Sequence, residues 1–287
     1  MKVPGGNGII WSNGAWHDGD EPLLRAKAHG VWLGGMVFDG ARSIDGKAPD
    51  LDRHCQRAIA SALAMGLAPA VPADEIIRLA IEGVAKFPAE KQLYICPMFY
   101  ADGGFIVPDP DTTRFMLAIQ ESPLPSPAGF SAALTKFRRP LPETAPTAAK
   151  ASCLYPNVAR GVTDARSRGY ETAVVLDALG NLAEFSYANL FFAKGGVVHT
   201  PAINGTFLNG ITRQRTIALL RDRDIEVQER TCSYDEMMQA DEVFATGNYA
   251  KVYPATRIDG RELQPGPLYR MARNAYFEFS GVKDPFA

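Results

Sequence analysis

A proline-rich segment near the middle of the chain limits which folds the sequence can adopt. Three prolines stand at alternate positions within Glu121–Gly129. Because proline fixes φ and lacks a backbone N–H, this spacing excludes a helix and a central strand. We therefore predict an interdomain linker at 121–130, between one domain at 1–120 and a larger domain at 131–287. Each flanking segment is long enough to bury a core of its own.

The composition is that of a nearly neutral globular protein. Of its 287 residues, 46% are hydrophobic and 22% are charged, and the formal net charge is −2. This amount of apolar side chain excludes disorder as the global state. The lack of a net positive charge argues against nucleic-acid binding. No stretch of about 18 apolar residues is free of charge, so we expect no membrane span.

The N-terminus and the cysteines both predict a cytoplasmic protein. Gly, Pro and Asp interrupt the segment Met1–Pro22 too often for a signal peptide. Cys55, Cys96, Cys153 and Cys232 have neither the spacing of metal ligands nor that of a disulfide framework. We expect four reduced and mostly buried thiols, as in other cytosolic chains.

Hydrophobic periodicity predicts both strands and helices in each segment. The elements expected in the first segment are strands at Ile9–Trp11, Val31–Phe38, Leu93–Tyr100 and Phe115–Gln120, and helices at Leu51–Met65 and Glu75–Phe87, with Asp74 as the cap of the second helix. Those expected in the second segment are strands at Phe130–Phe137, Thr172–Asp177, Leu182–Phe192 and Glu242–Thr246, and helices at about Asn157–Arg168, near Thr212 and at Tyr234–Ala240. Strands in pairs with helices between them favour an α+β fold over strict βαβ alternation.

Several widespread catalytic motifs are absent from the sequence. It contains no GxxxxGK[ST] phosphate loop, no HExxH, no GxSxG and no GxGxxG after a strand. Its four histidines, at positions 17, 29, 54 and 199, are not spaced to share a metal, so we predict no metal site. A Ser-His-Asp triad stays open, although no residue points to it.

Lys150 is the charged residue whose surroundings are most informative. The stretch Pro146–Tyr155 contains no other charge. An ammonium among small apolar neighbours should have a depressed pKa, and a neutral amine is what Schiff-base chemistry with an aldehyde requires. The alternative, a lysine that reaches solvent from a loop, is the commoner case when local context alone is considered.

Four further features could bind a charged ligand. Glu184 lies on a half-buried strand and would need a cationic partner if buried, such as a protonated pyridine nitrogen; otherwise it is an edge charge facing water. Gly210-Ile211-Thr212 begins a helix whose N–H groups could bind an anion, although an ordinary capped helix start is commoner. The turn ending at Asn248 could present N–H groups to a second anion. Arg57 could donate a guanidinium fork to a phosphate, or could be a solvated helix charge.

Taken together and in order, these motifs resemble one known family. The matching pieces are Val37–Arg42, His54–Arg57, Pro146–Lys150, Gly180–Glu184 with Asn189–Phe191, Gly210–Arg213, and Ala240–Phe244 with Thr246-Gly247. They resemble the class IV, or fold type IV, pyridoxal-phosphate (PLP) aminotransferases, a family that includes branched-chain aminotransferases, D-amino-acid and (R)-amine transaminases, and aminodeoxychorismate lyase. The resemblance covers nearly the whole chain, and several motifs in one order are far more specific than any one alone.

The resemblance implies a two-domain fold and a homodimer. The family has a small N-terminal α/β domain and a larger C-terminal pseudo-barrel domain, with the cofactor between them. A loop from the partner's small domain completes the active site, so a homodimer is expected here.

The resemblance also implies roles for individual residues. Lys150 matches the lysine that bonds to the PLP aldehyde and moves the proton between the substrate Cα and the cofactor C4′. Glu184 is similar to the glutamate that pairs with the pyridine N–H. Tyr155 matches a tyrosine near the phenolic O3′. The residues implied to bind the phosphate are Arg57, Gly210, Ile211, Thr212 and Asn248.

The implied substrate pocket departs from the branched-chain pattern. Its residues are Phe38, Tyr94, Cys96, Asn248 and Tyr249. Branched-chain enzymes carry an arginine at the position of Cys96 and a tyrosine at that of Leu33, and a thiol cannot neutralise a carboxylate. The substrate carboxylate would then rest on Tyr94 and the backbone N–H groups of residues 248 and 249, or on an arginine such as Arg138 or Arg139.

The implied reaction moves an amino group from an amino acid or amine to a 2-oxo acid by a ping-pong mechanism. Branched-chain amino acids are the most frequent donors in the family. An (R)-amine, a D-amino acid or a PLP lyase reaction are the alternatives. A degenerate homologue without enzymatic activity is the least supported reading, because the residues at 57, 150, 184 and 210–212 are intact.

Overall fold

The computed structural model describes residues 8–286. Residues 1–7, which begin the segment judged unlike a signal peptide, and residue 287 lie outside the described part. Within residues 8–286, no helix combines the length and the apolar composition that crossing a membrane would require.

The chain folds into two compact units. The first contains the residues up to Leu124 together with Ala148–Leu154, and the second contains Pro125–Thr147 and the residues from Tyr155 onward. The two units therefore differ from a simple division at 121–130, because residues 148–154 group with the first unit.

Backbone hydrogen bonds attach residues 148–154 to the first unit. The N–H of Phe38 donates to the carbonyl oxygen of Lys150 at 3.1 Å. The N–H of Lys150 donates to Ser61 Oγ, also at 3.1 Å. Ala151 is fully buried in the core of this unit. Pairing and burial thus fix the backbone around Lys150 on the first unit, although the sequence places it after the proline-rich segment.

The first unit is an antiparallel sheet covered by two helices. Its elements are β1 (Gly8–Ser12), β2 (Ala15–Asp18), α1 (His29–Trp32), β3 (Met36–Phe38), β4 (Ala41–Ser43), α2 (Leu51–Ala64), α3 (Ala73–Val84), β5 (Leu93–Ala101), β6 (Gly104–Phe105), β7 (Val107–Pro108) and β8 (Thr113–Glu121). The strand order of the sheet is β2-β1-β8-β5-β3, and β4 also pairs with β5. The short strands β6 and β7 form a separate hairpin.

Alternation along β5 decides which side chains enter the core. Leu93 and Ile95 are buried, and they pack in one cluster with Ile76 of α3. Successive side chains of a strand point to opposite faces. Tyr94 and Cys96 therefore lie on the face of the sheet opposite the two helices.

A buried ion pair joins α2 to the loop after β3. The carboxylate of Asp39 is fully buried and accepts from Arg57 Nε at 2.6 Å and Arg57 Nη2 at 2.9 Å. His54 Nδ1 lies 2.7 Å from Asp39 Oδ1, and the N–H of Gly40 donates to the same oxygen at 2.6 Å. Burial by itself would raise the pKa of Asp39, but the charge and hydrogen bonds of Arg57 and His54 outweigh it and hold that pKa far below its ordinary range.

The second unit is built around a larger mixed sheet. Its elements are β9 (Phe130–Arg138), α4 (Tyr155–Ser167), β10 (Thr172–Leu176), β11 (Leu182–Phe185), β12 (Ala188–Lys194), β13 (Val197–Pro201), α5 (Ile211–Arg221), β14 (Val227–Arg230), α6 (Tyr234–Met237), β15 (Glu242–Gly247), β16 (Lys251–Ile258), β17 (Arg261–Glu262) and α7 (Pro267–Ser280). The strands pair in the order β11-β10-β9-β16-β15-β12-β13-β14, with β17 on β16. An additional pairing of β11 with β12 closes six of these strands into a ring. The expected α+β architecture with a pseudo-barrel is therefore observed.

The predicted strand at Val31–Phe38 is wrong in its first half. The short helix α1 occupies His29–Trp32, and the strand begins only at Met36. Gly34 between them has a φ of +76°, in the region that favours glycine. The run of apolar residues suggested a strand, but its two glycines allow the chain to turn before the strand begins.

Two other predicted boundaries also need correction. The helix α3 begins at Ala73 after Pro72, and Asp74 lies in its first turn and does not cap it with its side chain. The long strand predicted at Leu182–Phe192 is two strands, because residues 186 and 187 form a turn. That turn folds β12 back on β11 and sets their antiparallel register.

We predict that Asp39→Asn lowers the free energy of unfolding at pH 7 by about 3–5 kcal/mol, because it leaves the Arg57 charge without its buried partner. The folded-state pKa of Asp39 is depressed, so its stabilisation is present above its unfolded-state pKa and declines as the pH falls. The difference in the free energy of unfolding between the wild type and the variant should therefore be smaller by about 1 kcal/mol at pH 3 than at pH 7. Urea unfolding at both pH values measures it.

The control for this prediction is Glu75→Gln, which removes an exposed carboxylate that pairs with Arg78 at 2.7 Å. This variant should unfold like the wild type at pH 7, since exposed pairs contribute little. Equal stability of Asp39→Asn and wild type at pH 7, or a difference that grows in acid, would contradict the role given to the buried pair.

Candidate active site

Lys150 lies half-buried in the first unit, over an aromatic ring. Its backbone is held on one side by Phe38 and on the other by Ser61. Its Nζ lies 4.7 Å from the centre of the Phe38 ring, a distance at which a cation is attracted to the face of the ring. The amine is therefore held at a defined place by its backbone and by the ring below it.

Arg57 is oriented by Asp39. Two of its nitrogens, Nε and Nη2, donate to the two carboxylate oxygens, so the plane of the guanidinium is fixed by a bidentate pair. The side chain of Arg57 is only 21% exposed, whereas that of Asp39 is fully buried. The pair thus fixes the orientation of a positively charged guanidinium in the middle of α2.

Tyr94 and Cys96 share a neighbourhood with Asp39 and Lys150. A Cβ built on Gly40 would come within 2.2 Å of Tyr94 Oη, so the loop after β3 lies against the hydroxyl end of this tyrosine. Burial, and then the negative charge of Asp39, raise the pKa of Cys96 to about 12, against a smaller lowering by Lys150. The Cys96 thiol is therefore neutral at physiological pH.

Glu184 lies in the second unit, on β11, and is 7% exposed. Its Oε1 lies 3.3 Å from Arg139 Nε, and its Oε2 accepts from Asn189 Nδ2 at 3.4 Å. Arg139 Nε also donates to the carbonyl oxygen of Thr206 at 3.0 Å. The carboxylate is therefore not an edge charge facing water, and a buried guanidinium partly neutralises it.

The start of α5 is held against the strand that carries Asn189. The N–H of Gly210 donates to Asn189 Oδ1 at 3.1 Å, and Asn189 Nδ2 donates to the carbonyl oxygen of Leu208 at 3.0 Å. A Cβ on Gly210 would meet Asn189 Oδ1 at 2.1 Å, so any larger residue here would have to displace the Asn189 amide. Ile211 and Thr212, the first residues of the helix, are buried. Their backbone N–H groups belong to a helix terminus, which favours anions.

Arg213 anchors the same helix start from behind. Its side chain is fully buried and donates to Asn209 Oδ1 at 2.9 Å, to the carbonyl oxygen of Pro201 at 3.0 Å and to Glu229 Oε2 at 3.0 Å. Burial lowers the pKa of Arg213, and Glu229 opposes that shift. The loop before α5 is thereby tied to β13 and β14.

The turn between β15 and β16 contains Asn248 and a buried lysine. Asn248 Oδ1 accepts from Lys251 Nζ at 2.8 Å, and Lys251 is 1% exposed with a φ of +61°. Tyr249 packs edge-on against Tyr187, with ring centres 6.4 Å apart. The hydroxyl of Thr246, just before this turn, is buried and has no hydrogen-bond partner among the described residues.

The two units divide the predicted site residues between them. The first unit brings together Phe38, Arg57, Tyr94, Cys96 and Lys150. The second contains Glu184, Gly210, Ile211, Thr212, Asn248 and Tyr249, together with Tyr155 in the first turn of α4. Arg139 is engaged with Glu184, and Arg138 is exposed. Within residues 8–286, no cluster of three or more His, Cys, Asp or Glu side chains is placed to hold a metal ion.

Sequence reasoning gave no role to three residues that hold this arrangement. Asp39 and Asn189 lie inside motifs that were used for the resemblance, and Lys251 lies outside all of them. Each is a polar residue in an apolar stretch, which was the signal used for Lys150 and Glu184. The same signal would have identified these three as buried, but not which groups they contact.

Comparison with known proteins gives the family. The model of the class IV amino-transferase family matches residues 36–258. A probable branched-chain-amino-acid aminotransferase of Rickettsia felis is 32% identical over 253 residues, which are 87% of each chain. The branched-chain-amino-acid aminotransferase of Escherichia coli is 31% identical over 283 residues, covering 93% of this chain and 91% of that protein.

Solved structures agree with these relatives. An aminotransferase from Brucella abortus, bound to the cofactor PLP, is 44% identical with a TM-score of 0.95, over 96% of this chain and all of that one. The branched-chain aminotransferase from Escherichia coli is 28% identical with a TM-score of 0.88, over 98% of both chains. The chain therefore belongs to the class IV aminotransferase family and has its fold type IV architecture, as the order of its sequence motifs predicted.

Proposed function

We propose that this chain is a PLP-dependent aminotransferase that moves an amino group from a branched-chain amino acid to a 2-oxo acid in a ping-pong cycle. The observation that carries the proposal is a half-buried amine at Lys150, over an aromatic ring, in a member of the class IV aminotransferase family. The Brucella abortus neighbour bound to PLP and the branched-chain relatives support the cofactor and the donor class.

The residues present fit the chemistry of PLP. The cofactor has an aldehyde, a basic ring nitrogen and a phosphate, which call for an amine, a carboxylate and an anion site. The chain supplies Lys150, the buried carboxylate of Glu184 and the helix start at Gly210–Thr212. The unpartnered hydroxyl of Thr246 is a further hydrogen-bond donor in the same unit as that helix start.

Lys150 would hold the cofactor covalently and act as the base that moves the substrate Cα proton. When bound, PLP supplies a ring that takes up the electrons left by that proton. Backbone pairing on both sides of Lys150 limits how far its Cα can move, so its Nζ stays within reach of one place. Fixing a reactive group in this way raises its effective concentration.

Glu184 would hold the proton on the ring nitrogen. Its carboxylate is buried but paired with Arg139 and bonded to Asn189, so it can remain ionised without water. An ionised carboxylate favours the protonated ring nitrogen, and the positive ring is the better electron acceptor.

The phosphate would be held by Arg57, the backbone N–H groups of Ile211 and Thr212, the Thr212 hydroxyl and Asn248. Helix-terminal N–H groups and an oriented guanidinium are the donors that proteins use for phosphate. Tyr155 would lie near the phenolic oxygen of the cofactor.

The substrate would contact Phe38, Tyr94, Cys96, Asn248 and Tyr249. A neutral Cys96 gives an apolar wall that suits a branched aliphatic side chain. The carboxylate would then be bound by Tyr94 and by the N–H groups of residues 248 and 249. Because a neutral Cys96 does not supply a cation for a carboxylate, it also favours a second candidate, an (R)-amine transaminase, whose donor has no carboxylate. A D-amino-acid transaminase is the alternative of opposite stereochemistry.

We also propose that the protein is a homodimer and that it is cytoplasmic. The hairpin β6–β7 exposes Phe105, Ile106 and Val107, each more than two-thirds exposed, and Trp32 packs beside Phe105 at 6.0 Å between ring centres. Apolar surface of this kind, gathered on one hairpin, is typical of an interface with another protein chain. The four free thiols are typical of a reducing compartment.

Lys150→Ala should abolish the visible absorbance band that the wild type develops with PLP and should reduce transaminase activity by at least about 10³-fold. Lys136→Ala is the matched control, because Lys136 also lies over a phenylalanine ring, at 5.4 Å, but is exposed. The control should keep both the band and the activity. A wild type that stays colourless with PLP would refute the proposal.

A panel of donors separates the two candidate functions. L-Leu, L-Ile, D-Ala and (R)-1-phenylethylamine are each added to the PLP-loaded protein, and bleaching of the visible band is followed. We expect L-Leu and L-Ile to bleach it, because their side chains are apolar. If only the (R)-amine or D-Ala bleaches the band, the protein is an (R)-amine or D-amino-acid transaminase and the first candidate is wrong.

The double variant Phe105→Ser, Val107→Ser should weaken dimerisation by at least about tenfold, because it removes two large apolar side chains from the interface. Sedimentation equilibrium measures the dissociation constant. Leu179→Ser, which changes an exposed leucine of the second unit, should leave it unchanged. A wild type that sediments as a monomer at micromolar concentration would contradict the dimer.

A further inference from the structure

We propose that Asn189 is a positioning residue that couples two anchors of the cofactor, the carboxylate of Glu184 and the helix start at Gly210. The inference rests on the proposed function, since it assumes that these two groups bind the ring nitrogen and the phosphate of PLP. All three residues belong to the second unit.

Each polar group of the Asn189 side chain has its own partner. The amide nitrogen donates to Glu184 Oε2 at 3.4 Å and to the carbonyl oxygen of Leu208 at 3.0 Å, and the amide oxygen accepts from the N–H of Gly210 at 3.1 Å. A primary amide has two N–H donors and one oxygen acceptor, so this set uses both kinds of group. If the amide were rotated by 180°, its oxygen would face the Glu184 carboxylate and its N–H groups would face the N–H of Gly210. Both contacts would be repulsive, so the hydrogen bonds fix the orientation of the amide.

The backbone makes Asn189 rigid. It pairs with Glu184 across the hairpin of β11 and β12, and with Thr246 of β15 on its other side. A residue in the middle of three strands cannot shift without breaking the ladder on either side. The side chain is 6% exposed, so water does not compete for its hydrogen bonds.

Gly210 lies directly against the side-chain amide of Asn189, with its backbone nitrogen 3.1 Å from Oδ1. Because a Cβ on Gly210 would come within 2.1 Å of Asn189 Oδ1, the backbone of the helix start rests directly on this amide. Any displacement of the amide is transmitted to Gly210 and hence to the N–H groups that follow it. Small displacements of binding groups have large effects on a reaction that depends on their geometry.

Two variants separate the two couplings. Asn189→Asp keeps the oxygen that accepts from Gly210, but it loses the donors to Glu184 and to the carbonyl oxygen of Leu208 and adds a negative charge beside Glu184. It should weaken binding of PLP and of pyridoxal, which lacks the phosphate, by similar factors of about tenfold. Asn189→Ala loses all three hydrogen bonds, including that from Gly210, so it should weaken the binding of PLP by a further factor of about five or more relative to that of pyridoxal.

The measurement is the dissociation constant of each ligand from the apoprotein, followed by visible absorbance, with the thermal midpoint of each variant recorded. Asn204→Asp is the matched control, since Asn204 also donates to a carboxylate, that of Asp177, at 2.9 Å, but is exposed. It should change neither constant. For Asn189→Ala, a lower thermal midpoint with an unchanged ratio of the two constants would indicate a purely structural role, and that result would overturn the inference.

The outcomes also separate this inference from the proposed function. If the wild type develops no visible band with PLP, the proposed function fails. If the wild type binds PLP and both variants bind the two ligands as it does, only the coupling fails. Should Asn189→Ala not fold, Asn189→Leu takes its place, since leucine has a similar volume and also loses all three hydrogen bonds. PLP binding weakened more than pyridoxal binding supports the coupling, and an equal change in both overturns it.

Discussion

Two buried carboxylates set the constraint on which the rest of this structure depends. A carboxylate taken out of water can stay charged only when a cation and hydrogen bonds replace its hydration. Asp39 meets this condition with Arg57 and His54, and Glu184 meets it with Arg139 and Asn189. Asp39 is therefore tied to α2, and Glu184 is tied to β12 and to the residue that follows β9. The elements cannot move apart without exposing that charge to an apolar core.

Much of the fold, and the family, could be predicted from the sequence, whereas the roles of the site residues stay predictions. The long periodic elements were located correctly, because alternation and helical periodicity report which face is buried. Lys150 and Glu184 were singled out because a charge in an apolar stretch is costly, and the order of motifs then identified the family. That order is specific because six short patterns along one chain are unlikely to coincide by chance.

The features that could not be predicted from the sequence depend mostly on strand register and on long-range backbone pairing. Asn189 contacts Glu184 because a two-residue turn folds β12 back on β11, and the continuous apolar run Leu182–Phe192 hides that turn. Residues 148–154 group with the first unit because their backbone pairs there, a long-range contact that no local pattern encodes. Val31 and Trp32 are apolar enough for a strand, yet they lie in a helix because Gly34 turns the chain.

The turn after β15 shows how a costly local conformation can serve a binding group. Lys251 is almost fully buried and has a positive φ, which costs free energy for a residue with a side chain. Its ammonium donates to the amide oxygen of Asn248, so the amide nitrogen of Asn248 must point away from Lys251. Lys251 would therefore set the orientation of Asn248 in the phosphate site proposed above.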